Sequence, residues 1–140
     1  MCWRHALILL ALPLLGGCYD GGLKVPRVER ATEIRIYGLN PQLPTKIRDP
    51  DRVARIMNFV NERHNHWHIP EPGAPAPEVV AVIYDGDEQK YVFAAGPAYF
   101  ENGPSYMLSR RASREEYQEF LRVIGADELH VDREAAAQRP

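Results

Sequence analysis

The sequence predicts an α+β fold: a small antiparallel sheet of about four strands with two helices on one face, in β-α-β-β-β-α order. Three observations carry that expectation. Residues 50–63 and 114–124 repeat apolar side chains at helical spacing, and each segment opens on a capping signal. Residues 78–95 alternate apolar side chains about Asp85-Gly86-Asp87, as a hairpin does. At 140 residues, 45% hydrophobic and 26% charged, the chain has room for one ordinary globular domain, which excludes a multidomain assembly.

The first strand is Glu33 to Tyr37, with Ile34 and Ile36 on one face, and the Gly38 to Pro44 stretch ends it with two prolines. Asp49-Pro50-Asp51 then starts a helix: Asp49 caps, Pro50 suits the first helical position, and Asp51 complements the dipole. Val53, Ile56, Met57 and Val60 recur at i, i+3, i+4 and i+7, with Phe59 beside them, so this helix runs to Arg63. Ile69 to Pro77 contains four prolines and reads as a stiff crossover. Glu78 to Tyr84 is a strand with Val79, Ala81 and Ile83 facing one way and Val80, Val82 and Tyr84 the other; Lys90 to Ala95 returns antiparallel. Gly96-Pro97 breaks that strand, Tyr99-Phe100 forms a short aromatic segment, Asn102-Gly103 turns, and Tyr106 to Leu108 is the last strand. Ser113 and Glu116 match a capping box, Tyr117, Phe120, Leu121 and Ile124 repeat the helical spacing, and Gly125 is placed to end the helix.

The N-terminus reads as an address. Arg4 precedes the apolar run Ala6 to Leu15, too short to cross a hydrocarbon core of ~30 Å as a helix and suited to a secretory signal. Leu15-Gly16-Gly17-Cys18 follows and resembles the lipobox of bacterial lipoproteins. The resemblance implies cleavage before Cys18 and a diacylglyceryl group on its sulfur, with two or three acyl chains, such as palmitate, on Cys18 in all. Stable anchoring takes two or more chains, which this modification supplies. The expected organisation is a signal peptide over 1–17, a lipidated tether over 18–30, a domain over 31–131 and a flexible tail over 132–140. Tyr19 follows the cysteine in place of the Asp that would resemble an inner-membrane retention signal, and that resemblance implies the periplasmic face of the outer membrane, with the inner membrane as the alternative. Cys2 lies in the signal peptide, so with Cys18 acylated the mature chain has no thiol for a disulfide, a thiolate metal site or a nucleophile.

A wider likeness runs from Ala31 to Gly125. The Asp-Pro-Asp helix start, Asn61 near the helix end, Trp67 after it, the Pro-rich crossover, the hairpin, Gly96-Pro97 with an aromatic, and the Ser-capped helix ending Ile124-Gly125 together resemble small lipoproteins of Gram-negative bacteria. The resemblance implies fold and location and brings no catalytic residue with it.

The remaining candidates are few. His64, His66 and His68 are three of the five histidines, and imidazole is a common ligand for Zn, Cu or Ni. On a helix His66 lies about 200° around from His64, and on a strand His64 and His68 stand about 13 Å apart, so three ligands to one ion require an irregular backbone. The competing expectation is a helix end whose histidines suit the dipole while Trp67 turns into the core. Pro70 to Pro77 reads as a connector before a polyproline ligand, and Asp85, Asp87 and Glu88 as a solvated turn. Tyr99 and Phe100 are candidates for a ligand or protein contact. Nothing matches a P-loop, a dinucleotide fingerprint, a zincin or a nucleophile elbow, and no cofactor is indicated. Seventeen Lys+Arg against nineteen Asp+Glu leave a net charge of -2, unsuited to a nucleic-acid partner. The expectation is a membrane-anchored, non-enzymatic domain that binds an envelope protein or small ligand. A His-based metal-binding lipoprotein is the alternative, and an envelope hydrolase stands behind both.

Overall fold

In the computed structural model, residues 22–40, 42–70, 72, 76–103 and 108–126 are described. Two amphipathic helices and a sheet supply the layers. β1 (Glu33–Tyr37), β2 (Thr45–Ile47), β3 (Val79–Asp85), β4 (Glu88–Gly96), β5 (Tyr99–Asn102) and β6 (Leu108–Arg111) join in the order β2-β1-β3-β4-β5-β6, every pair antiparallel. α1 (Pro50–Glu62) and α2 (Arg114–Ile124) pack together over one face. The class is α+β, with six strands among the described residues where four are expected from sequence.

The two additional strands have identifiable causes. β2 is three residues long, too short to show alternation, and forms because Ile47 pairs with Ile34 and is buried beside it. At Gly96-Pro97 the chain does not leave the sheet: Pro97 and Ala98 form a two-residue turn, Gly96 pairs with Tyr99, and the aromatic segment becomes β5. The last strand, expected over Tyr106 to Leu108, is described over Leu108–Arg111 and so runs three residues past its expected end; residues 104–107 lie outside the described set.

Both helices begin as their capping residues dictate. Asp49 accepts the Arg52 amide at 2.9 Å; Ser113 and Glu116 exchange side-chain to backbone bonds at 3.1 and 3.0 Å. Gly125 ends α2 at φ 76°, a conformation that costs glycine little. The helices run antiparallel: Arg52 at the start of α1 donates to the Ile124 carbonyl, while Arg63 at its end donates to Glu119 at 2.8 Å.

The core is aromatic. Phe93 is fully buried, with ring centroids of Phe100, Phe120, Phe59 and Trp67 at 5.0, 5.2, 6.0 and 6.4 Å. Tilted and edge-on pairs of this kind add to the burial energy of ~1.5–3 kcal/mol per large apolar side chain. On the opposite face, Glu33 accepts from both Arg35 and Arg48, and Arg35 lies 4.2 Å from the centre of the Tyr84 ring.

Candidate functional site

The structure revises the expected tether most. Order does not wait for Ala31, because residues 22–31 are built into the domain. Val25 and Val28 belong to the core at 6% and 7% exposure. Leu23 and Trp67 exchange both backbone hydrogen bonds, at 2.6 and 3.1 Å, and the Val25 amide donates to the His64 carbonyl at 2.9 Å. Asn61 then clamps the segment: its Oδ1 accepts the Val28 amide at 2.8 Å and its Nδ2 donates to the Val28 carbonyl at 2.9 Å. The segment ends against the β3–β4 hairpin, where Thr32 donates to the Tyr84 carbonyl and its Oγ1 receives the Gly86 amide at 2.8 Å. Sequence periodicity could not reveal this. The partners are distant in the chain, and Pro26 interrupts any local pattern.

The histidine loop forms the other wall of this seam. Trp67 is fully buried and its indole donates to the Arg63 carbonyl at 2.7 Å, so the aromatic turns inward as expected. Arg63 is a part-buried cation: its guanidinium lies 3.5 Å from the Phe59 ring centre and donates to Glu119 and the Phe59 carbonyl. His68 exchanges backbone hydrogen bonds of 2.8 Å with Ser109 of β6, while Trp67 faces Leu23, so the loop joins β6 to the N-terminal segment. His66 takes a left-handed φ of 64°, and Gly22 passes so near that a Cβ on it would stand 2.4 Å from the His66 Cα. Glycine is required there by the close approach of two backbones.

The three histidines diverge in role. His64 Nδ1 lies 2.9 Å from the Asn61 carbonyl and its ring lies 3.4 Å from Arg27, while His66 and His68 are exposed. Among the described residues no three His, Cys, Asp or Glu side chains are placed to hold one metal ion. Phe100, a sequence candidate for contact, is fully buried among Phe59, Phe93 and Phe120, which makes its side chain core. Tyr99 is 9% exposed on the opposite face, with its ring against Gly96. Burial raises its hydroxyl pKa, and the nearby Glu101 and Glu78 raise it further. Glu101 is 6% exposed, and burial pushes its carboxyl above the ordinary range. Cys18 and the 132–140 tail lie outside the described residues, as do Glu71 and 73–75 of the proline stretch.

Two clefts flank the docked segment. One of about 640 Å³ lies toward β4 and β5 and includes Arg27, Lys90, Tyr91 and Asn102. The other, about 680 Å³, lies toward α1 and includes Arg48, Met57, Asn58 and Asn61. Val28, Glu29, Arg30 and Asp85 border both. Arg30 and Asp85 approach to 3.7 Å, but Arg30 is 80% exposed, so this pair contributes little to stability. Mixed charge beside an apolar floor suits recognition of a polar ligand or peptide. The hydroxyl groups at the clefts are that of Thr32, which receives the Gly86 amide, and that of Tyr91, whose pKa burial raises. Among the described residues no helix is long and apolar enough to cross a membrane. No family model, curated protein or solved structure matches the chain.

Proposed function

We propose that this chain is a lipoprotein of the bacterial envelope, held by an acylated Cys18 at the periplasmic face of the outer membrane, whose folded domain binds an envelope protein or a small polar ligand and performs no catalysis. The observation that carries this reading is Leu15-Gly16-Gly17-Cys18 at the end of the short apolar run Ala6 to Leu15. The docked segment adds physical sense to it. The residues after the cysteine both leave the lipid and complete the domain, so the two clefts lie along the part of the chain nearest the anchor.

The binding surface under this reading is the seam lined by Arg27, Arg30, Asp85 and Lys90. Photocrosslinkers placed at Arg30 and Lys90 in the native lipoprotein, with Lys46 as a control, test it in intact envelopes. Capture of a discrete species from the first two positions alone supports the reading. Capture that is equal from all three, or absent, contradicts it.

A further inference from the structure

The short reach between anchor and fold determines which end of the domain meets the bilayer. Gly22, whose backbone is fitted against His66, is four residues from Cys18. Four extended residues span at most ~14 Å, whatever path they take. The headgroup layer of one leaflet is itself about 5–8 Å deep. An acylated Cys18 therefore keeps Gly22 within about 6–9 Å of the lipid surface, so this end of the domain is the one that faces the bilayer.

The surface at that end suits such contact. Leu23 is 49% exposed and Ile69 78% exposed, two of only four large apolar side chains so exposed among the described residues. The bridge sets the Leu23 backbone beside that of Trp67, two residues before Ile69. Lys24 and Arg27 are exposed on the same segment, and His66 and His68 on the facing loop. Leaflets containing anionic lipid attract cations such as Lys24, and exposed aliphatic side chains enter the headgroup boundary. At its far end the segment meets the β3–β4 turn, which bears Asp85, Asp87 and Glu88. The acidic turn lies away from the anchor and the cationic, apolar end lies beside it.

We infer that Leu23, Lys24 and Ile69, beside the exposed His66 and His68, form a phospholipid contact that lays the domain on its own bilayer in one orientation. This rests on the acylation of Cys18 proposed above. The test uses the full lipoprotein, extracted in detergent and reconstituted into phosphatidylethanolamine vesicles with a minor fraction of phosphatidylglycerol. Because the acylated chain has no free thiol, Ile69→Cys and Asp87→Cys each accept a single nitroxide label at an exposed position. The label at position 69 is expected to lose collisions with a water-soluble nickel chelate and gain them with oxygen on reconstitution, while the label at 87 stays accessible to the chelate. Equal access at both positions in protein shown by mass spectrometry to be acylated would overturn the orientation and leave the anchor standing. Protein that carries no acyl group and fails to float with the vesicles would overturn both.

Discussion

Substituting Asn61→Ala opens the seam at one defined point. The Val28 amide needs an acceptor and its carbonyl a donor, and only one orientation of the Asn61 amide supplies both, at 2.8 and 2.9 Å. Each such bond contributes a net ~0.5–1.5 kcal/mol, so their loss costs about 1–3 kcal/mol. Val28 is 7% exposed, so water cannot replace them unless the segment lifts. If a loss of about 2 kcal/mol falls on local opening, the Val25 and Val28 amides exchange with solvent deuterium about thirtyfold faster, while β3 and β4 exchange as before. Trypsin should then cut after Lys24, Arg27 and Arg30 under native conditions. Asn61→Asp is the sharper variant: it keeps the acceptor for the Val28 amide but sets a carboxylate against the Val28 carbonyl, so at neutral pH it should open the segment further than Ala does. Unchanged exchange at Val25 and Val28 in both variants would refute the docking of residues 22–31.

Gly22→Ala places a methyl 2.4 Å from the His66 Cα and should lower thermal stability by about 1–3 kcal/mol, read by calorimetry, with the same rise in exchange at Val25. Phe93→Ala empties the centre of the aromatic cluster and should cost about 3–5 kcal/mol in denaturant unfolding; a smaller loss than at partly buried Tyr91 would contradict the packing. Two carboxylates should give opposite pH profiles. Hydrogen bonds from Arg35, then Arg48, hold Glu33 below the ordinary carboxylate range, so its stabilisation is present above the unfolded pKa and fades as pH falls through the folded one. Burial raises Glu101, so its contribution is fully present below the unfolded pKa and is lost as pH rises through the folded one. Glu33→Gln should therefore lower melting temperature at neutral pH, and Glu101→Gln should hold or raise it; the reverse order would contradict both assignments. Zinc titrated calorimetrically should bind the native chain no more tightly than a His64→Ala, His66→Ala, His68→Ala variant, since the described residues bring no three ligands together.

What could be read from the sequence was local. Asp49-Pro50 and the Ser113–Glu116 box mark the two helix starts because a capping side chain bonds backbone three residues away. β1, β3 and β4 show themselves because each is long enough to alternate. β2 and β5 were hidden for opposite reasons: Thr45–Ile47 has too few residues to carry a pattern, while Tyr99–Asn102 follows a Gly-Pro pair that breaks a strand in isolation but turns one within a sheet. The inward Trp67 was legible from its type. The burial of Phe100 was not, because two adjacent aromatics point to opposite faces only once they are known to lie in a strand. The docked segment was the least legible feature: Asn61 and Val28 are 33 residues apart, and nothing near either announces the other.

The intact mass of the mature protein isolated from its native envelope tests the central claim most directly. A species beginning at residue 18, heavier than its polypeptide by a diacylglyceryl group and a further acyl chain, is the predicted result. A chain that begins at any other residue, or has the unmodified mass of its amino acids, would contradict the anchor and the orientation built on it.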